Sequence, residues 1–171
     1  MNTFIESDSL KKSAQVVLEE LGAQGLITGE TTLSQSVLTE VYGEGGKINL
    51  IRTCLSDHGR LKLLMNTKKG ECDLIDFAPS TIRQAVGNAL ETARISPPDP
   101  AEGISDEREN RDFSVGPQAA ETERMLSSQE EFLATLKADF PKVSFDSFSI
   151  THELKDTVYA NTAVVLLSER R

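Results

Sequence analysis

The apolar residues of this chain change their spacing from a helical repeat to strict alternation, and this change limits the folds open to it. Residues 8–25 repeat with the period of a buried helical stripe, made of Leu10, Ala14, Val17, Leu18 and Leu21. From about residue 30 the period becomes two, which is the period of a strand. Helix followed by strands then occurs again over residues 118–167. This order predicts an α+β fold in which helices pack on a sheet.

Four strands are expected in the first half of the chain, at 30–42, 47–56, 60–67 and 71–77. They are separated by three stretches of turn-forming residues, "GEGG" (43–46), "SDHG" (56–59) and "KKG" (68–70). Connections this short join antiparallel neighbours, so the pattern predicts a four-stranded meander.

A second helix is predicted to begin near Pro79, because proline suits the first turn of a helix. Its stripe consists of Ile82, Val86, Ala89, Leu90 and Ala93. Pro97 ends the helix, since the residue before a proline is driven out of the helical region. Gly87 costs about 1 kcal/mol relative to alanine inside a helix, which indicates close packing against the sheet.

A third helix and two more strands complete the prediction. Ser127 and Glu130 are spaced as a capping box, so the strongest part of the helix begins near Ser128, although a start near Gln118 is also open. Its stripe is Phe132, Leu133, Leu136 and Phe140. Strands at 143–152 and 157–167, joined by "ELKD", form a C-terminal hairpin. The expected fold is thus an antiparallel sheet, a meander plus a hairpin, packed with about three helices.

Composition and charge exclude several classes of protein. The chain has 171 residues, is 38% hydrophobic and 26% charged, and carries a net charge of -9, which is ordinary for a globular protein. No run of 18 apolar residues could span a membrane, and the N-terminus lacks the pattern of a secretory signal. Residues 47–69 hold six bases against Asp57 alone. They include no aromatic residue for stacking on bases, so we expect a solvated basic face, partly balanced by the acidic segment 99–131, and no nucleic-acid partner.

No catalytic, cofactor-binding or metal-binding residue is predicted. "THELKD" (151–156) begins like a zinc-protease motif, but no second histidine follows one helical turn after His152. The other histidine, His58, is expected in a hairpin turn. Cys54 and Cys72 are expected to be reduced, small core residues of a cytoplasmic protein. A structural zinc site made of both histidines and both cysteines is the open alternative, although their spacing matches no motif.

Strand edges are a further candidate for function. An extended peptide can add to an exposed sheet edge as one more strand, and residues 30–42 carry few charges. Strand 30–42 is therefore one hypothesis for a contact with a partner or peptide substrate. The alternative is that this strand is central in the sheet or covered by the first helix.

Residues 59–106 resemble the N-terminal domain of the TldD/PmbA family, the "modulator of DNA gyrase" proteins. The resemblance rests on three consecutive pieces: a strand, a helix with small residues, and a "PPDP-x-x-G" segment. The matching residues are Gly70, Asp73 and Leu74; Ile82, Ala85, Val86, Ala89, Leu90 and Ala93; then Pro97 to Pro100, Gly103, Ile104 and Asp106. Where family members often carry an Asn-Ser-x-Gly turn, this chain has "ANTAVVLLSE" from Ala160.

The resemblance implies a cytoplasmic metallopeptidase system that acts on small or unfolded peptides and works as a dimer. In that family the zinc ligands, a His-Glu-x-x-x-His pair and a cysteine, lie in a C-terminal domain. Their absence here implies that zinc is supplied by such a domain or by a partner, and that this chain is inactive alone. A protein partner or a homodimer is expected. The alternative is a stand-alone, non-enzymatic binding or adaptor module that kept the fold and pairs with a full-length partner.

The resemblance also predicts one N-terminal-like domain over residues 1–171. Within it, residues 1–96 form a helix, the meander and a second helix, and residues 118–171 form a helix and a hairpin. Between them, 97–117 is expected to be a mobile connector, because it is rich in proline and charge and has few apolar anchors.

Overall fold

Three helices and six strands are present in the part of the chain that the structure describes. A computed structural model describes residues 7–25, 27–106, 109–116, 119–163 and 165–171. The elements are α1 (Ser7–Gly22), β1 (Thr28–Glu44), β2 (Lys47–Met65), β3 (Lys68–Leu74), α2 (Pro79–Ile95), β4 (Arg111–Ser114), α3 (Thr122–Asp139), β5 (Ser147–Asn161) and β6 (Leu166–Arg170). The α+β class with three helices is therefore confirmed.

The strands form one sheet in the order β3-β2-β1-β5-β6-β4. β2 pairs with β3, and β5 with β6, in antiparallel fashion. β4 pairs with β6 in parallel, so the expected purely antiparallel sheet is wrong, and the sheet is mixed. β1 lies between β2 and β5. The hypothesis that strand 30–42 is a binding edge is therefore wrong, because a central strand has both sides of its backbone paired.

The chain divides into two compact units. One comprises the described residues within 1–35, 56–115 and 155–171, and the other those within 36–55 and 116–154. In the first unit the predicted stripes of α1 and α2 are confirmed, because both lie in a single hydrophobic core. This core also contains Leu33, Leu61, Leu63, Leu74, Val158 and Ala160.

The predicted turn "SDHG" is wrong, because these residues lie inside the long strand β2. The carbonyl oxygen of His58 accepts a hydrogen bond from Ser34 Oγ of β1 at 3.2 Å, which links the two strands. Gly59 is needed for space, since a Cβ there would lie 2.8 Å from Leu33 Cδ2 and 3.1 Å from Phe77 Cε1. Two of the four predicted strands are thus one, and the meander has three strands.

The next turn lies just before the predicted "KKG". Asn66 and Thr67 have positive φ angles of 52° and 65°, which is the conformation of a two-residue hairpin turn. Gly70 is part of β3 instead, where a Cβ would lie 1.9 Å from the carbonyl oxygen of Ala89 on α2. The "GEGG" turn is confirmed in its second half, with Gly45 and Gly46 at positive φ between β1 and β2, whereas Gly43 and Glu44 belong to β1.

The close approach of α2 to the sheet is therefore made by Gly70, and the expectation for Gly87 is wrong. Gly87 is exposed, and a Cβ there would meet nothing within 4 Å.

In the second unit α3 differs from its prediction. It begins at Thr122, and Ser127 lies inside it, where its hydroxyl donates to the carbonyl oxygen of Glu123 at 3.0 Å. The capping box is therefore wrong, and the alternative start at Gln118 lies outside the described residues. The buried face is Met125, Gln129 and Leu133, whereas Phe132 and Phe140, predicted for the stripe, are more than half exposed.

The C-terminal hairpin turns later than predicted. "ELKD" lies within β5, and the chain reverses after Asn161. Asp156, in the middle of the supposed turn, is buried and forms a two-bond ion pair with Arg170 of β6. The short strand β4 was not predicted, because its four residues are all exposed and show no alternation.

Candidate functional site

The proline-rich segment Pro97–Asp106 is bound along the hairpin of β2 and β3. The backbone N–H of Asp99 donates to the carbonyl oxygen of Thr67 at 2.9 Å, and Pro98 forms a bridge with Lys68. Asp99 Oδ1 in turn accepts the N–H of Ala101 at 2.9 Å, which closes a tight turn. The segment that carries the resemblance is therefore fastened to the strand before it.

Two lysines of the hairpin hold this segment through one carboxylate. Glu102 lies 2.9 Å from Lys62 Nζ and 2.7 Å from Lys69 Nζ. Their hydrogen bonds lower the pKa of Glu102 to about 2, while the bond to Glu102 is the main cause of a raised pKa for Lys69. Lys62 Nζ also donates to the carbonyl oxygen of Gly103 at 3.1 Å. Glu102 of the acidic segment 99–131 thus pairs with two lysines of the basic stretch 47–69, as the charge pattern predicted.

A second polar group links β1 with β5. The hydroxyl of Tyr159 donates to Glu30 Oε2 at 2.8 Å, and Glu30 lies 3.9 Å from Lys62. The pKa of Tyr159 is raised, first by burial and then by its contact with Glu30, against a lowering by Asn161. The ionisable groups here are paired with one another, so the cluster fastens elements together and presents no free acid, base or nucleophile to a substrate.

Asn161 is the buried centre of this region, with no exposed surface. Its Nδ2 donates to the carbonyl oxygen of Ser105 at 2.9 Å, and its Oδ1 accepts the N–H groups of Ala163 and Val165 at 3.0 and 3.2 Å. One side chain thus shapes the β5–β6 turn and holds the end of the proline-rich segment. No sequence motif predicted this role, although the family's turn also begins with asparagine.

A groove of the first unit lies between α1 and the end of the β5–β6 hairpin. It encloses about 660 Å³ and has an apolar floor that includes Ala160, Val165 and Leu166. Its rim carries two acids and two lysines, Asp8, Glu19, Lys11 and Lys12. Lys11 is already paired with Asp112 at 2.7 Å. These rim charges cancel, so the groove favours no charged ligand.

The histidines and cysteines lie apart. His58 is exposed in the middle of β2, so its expected turn position is wrong, and His152 lines a cavity of about 170 Å³ beside α3. Cys54 is exposed, which contradicts its expected place in a core, whereas Cys72 is half-buried against the core. Across the described residues no group of three or more histidine, cysteine or acidic side chains could hold a metal ion. The residues that the structure describes therefore do not fit a zinc site.

None of the helices in the described part of the chain is both long enough and apolar enough to cross a membrane.

Comparison with known proteins gives a match in structure only. No family model matches the sequence, and no curated protein matches it. Among solved structures, TldE from Thermococcus kodakarensis aligns with 95% of this chain at 10% identity, with a TM-score of 0.71. Two proteins described as candidate modulators of DNA gyrase also align. The one from Thermotoga maritima covers 94% of the chain at 11% identity (TM-score 0.66), and the one from Bacteroides thetaiotaomicron covers 95% at 12% (TM-score 0.73).

The alignment occupies 37 to 39% of the length of those three proteins. At 10 to 12% identity the likeness concerns the fold. It confirms the resemblance drawn from residues 59–106 and extends it over nearly the whole chain. This chain therefore has the fold of one part of TldE and of the modulators of DNA gyrase, the fold expected of a TldD/PmbA N-terminal domain.

Proposed function

We propose that this chain is the N-terminal, cleft-forming and dimer-forming part of a TldD/PmbA-type peptidase system that handles small or unfolded peptides in the cytoplasm. One observation carries the proposal: nearly all of the chain aligns with a little over a third of proteins of this fold. That is the proportion expected of one domain of a longer assembly. The fastened proline-rich segment, which bears the family-like residues, supports the same assignment.

In this proposal the chain supplies architecture and the zinc chemistry comes from another domain or chain. His58 and His152 lie on different strands, and the described residues offer no third ligand beside either. The residues of this chain therefore contribute binding and assembly, without polarising or cleaving a peptide bond.

The zinc content of the isolated chain tests this division of labour. Protein purified without a chelator should contain far less than one zinc per chain by elemental analysis, and should not cleave unfolded peptides. About one zinc per chain, retained on dialysis, would contradict the proposal, because bound metal at that level requires a real ligand set.

A stand-alone adaptor of the same fold is the second candidate. It is favoured by the exposed apolar side chains of β2, Leu50, Ile51 and Leu55, which suit a surface that binds another protein. The mass of the native polypeptide, measured by immunoblotting of cell extract, separates the two. A product much longer than 171 residues favours the peptidase part, and a product of this length favours the adaptor.

A further inference from the structure

In the part of the chain that the structure describes, the first half of β2, residues 47–55, has no strand on one of its sides. β3 pairs with β2 only from Gly59 to Met65, and β1 lies on the other side. Within the described ranges no further strand adjoins Lys47–Leu55, which we call the free edge. The backbone N–H and C=O groups along this side are therefore available to an added strand.

Both faces of the free edge are largely exposed, with Ile48 half-buried. Leu50 is 42% exposed, Ile51 48% and Leu55 63%. Successive strand residues point to opposite faces, so Leu50 lies on one face, and Ile51 and Leu55 on the other. By comparison, Val41 of β1, in the same unit, is fully buried. The free edge also lacks proline and glycine, and its one interior charge is Arg52, so it has few of the features that prevent strand addition.

We propose that the free edge binds the free edge of a second copy of this chain, in antiparallel orientation, with the two-fold axis at Ile51. This inference rests on the dimer-forming role in the proposed function and names the surface that performs it. An antiparallel pair of identical strands is an isologous interface, which closes at two chains. All nine residues of each free edge then acquire a partner, so the assembly does not grow further.

The sequence of the free edge is complementary to itself in this register. On one face Ile51 meets Ile51 of the second copy, and Asn49 meets Thr53. On the other face Ile48 meets Cys54, and Leu50 meets Arg52. At the ends of the free edge Leu55 meets Lys47. Each apolar group therefore opposes Ile51, Cys54 or the aliphatic stem of Arg52 or Lys47, which stabilises cross-strand pairs.

Charge does not oppose the pairing. Arg52 is neutralised by Glu40 of β1, with 2.6 Å between Arg52 Nε and Glu40 Oε2. In the proposed register neither Arg52 nor Lys47 faces its own copy, so no like charges lie directly opposite each other. A second copy therefore fits the edge better than a basic partner strand, which would bring new positive charge to Lys47.

The mass of the chain in solution tests the interface. Wild-type protein should sediment as a two-chain species. Ile51→Lys should lower the association constant of the dimer by at least about tenfold, because two lysines would then face each other at the axis. Ile75→Lys is the matched control, since Ile75 is 82% exposed and lies outside the free edge. It should remain a dimer. A monomeric wild type, or a folded Ile51→Lys variant that dimerises as well as the control, would overturn the inference.

Disulfide trapping tests the register. In a Cys72→Ser background, Ile48→Cys should form a covalent dimer on mild oxidation, because position 48 opposes the native Cys54 of the second copy at a separation suited to a disulfide. Without Ile48→Cys no covalent dimer should form, since the two Cys54 residues would lie about 20 Å apart along the strands. Ile48→Cys combined with Cys54→Ser should likewise stay unlinked. Linkage that does not require both cysteines would contradict the register.

These outcomes separate the inference from the proposed function. A monomeric chain that still assembles with a zinc-bearing domain refutes the self-pairing edge alone. A dimer trapped through positions 48 and 54 that never assembles with such a domain supports the edge and refutes the peptidase system.

Discussion

Asn161 connects the β5–β6 turn to the proline-rich segment through its side chain alone. Its amide is fully buried and all three of its strong hydrogen bonds go to backbone groups. Replacing it leaves the N–H groups of Ala163 and Val165 without their acceptor. The residue is polar, yet it is as fully buried as the leucines of the core.

Asn161→Ala should therefore lower the free energy of unfolding by roughly 1–3 kcal/mol, the cost of leaving buried backbone groups unsatisfied. Asn88→Ala on the exposed face of α2 is the control and should change stability by less than about 0.5 kcal/mol. Urea denaturation followed by circular dichroism measures both. Equal stability of the two variants would show that the Asn161 bonds are replaced by water.

Glu102 makes the fastening of the proline-rich segment depend on pH. Its pKa is lowered from 4.5 to about 2 by Lys62 and Lys69, so the folded state favours the carboxylate. The resulting stabilisation is fully present above the unfolded pKa, and it is lost as the pH falls from about 4.5 to about 2.

Glu102→Gln should remove this contribution at neutral pH. We expect faster amide hydrogen exchange over residues 99–103 than in wild type, with the difference shrinking as the pH approaches about 2. Glu91→Gln, at an exposed position of α2, should leave exchange there unchanged. A difference between Glu102→Gln and wild type that persists at the acid limit would mean that the ion pairs do not fasten the segment.

At the scale of elements, the packing of α2 on β3 depends on a residue without a side chain. Gly70 allows the carbonyl oxygen of Ala89 to approach to a distance that no Cβ could tolerate, and Ala93 Cβ would lie 3.1 Å away. Gly87 on the same helix has open space around it. A side chain is therefore excluded at Gly70 of β3 and tolerated at Gly87 of α2.

Gly70→Ala should destabilise the chain by about 1–3 kcal/mol or more, because α2 must move away from the sheet. Gly87→Ala is the matched variant and should stabilise it by up to about 1 kcal/mol through helix propensity. Thermal unfolding of both measures the contrast. If Gly70→Ala is as stable as wild type, the close approach of helix and strand is not a constraint on the fold.

Glycine has two roles in this chain, in turns and at close contacts between elements, and sequence reasoning did not distinguish them. α1 and α2 were predicted from their apolar stripes, whose residues lie in the buried core except Leu18, which is half-buried and packs against it. The "SDHG" and "KKG" stretches were taken for turns because glycine is typical of turns, whereas Gly59 and Gly70 are required for close contacts between elements. Such contacts involve residues distant in sequence, so local patterns do not reveal them.

The prediction of a turn at "ELKD", which lies within β5, was also wrong because of a contact between residues distant in sequence. Asp156 is polar at a buried position and is stabilised by Arg170, a partner that appears only once the strands are paired. β4, with every residue exposed, has no buried face to produce a pattern. The central position of β1 likewise depends on sheet order, which alternation along a single strand does not encode.

At the scale of the whole molecule, the resemblance identified a fold that composition and periodicity could not. Proline, glycine and small helical residues over 59–106 correspond to real constraints: the fastened segment, the β3–α2 contact and the end of α2. The expected mobility of residues 97–117 stays a prediction. Trypsin can cut this segment only after Arg108 or Arg111, and the expected mobility predicts that these are its first cuts in the chain.

The central claim is that this chain works as one part of a zinc peptidase assembly. It is tested most directly by purifying the native protein through a tag on this chain and sequencing every polypeptide in the purified assembly by mass spectrometry. The account predicts that His-Glu-x-x-x-His is present in fixed stoichiometry, either in the same polypeptide or in a co-purifying chain. An assembly that contains this chain and no polypeptide with that motif would contradict it.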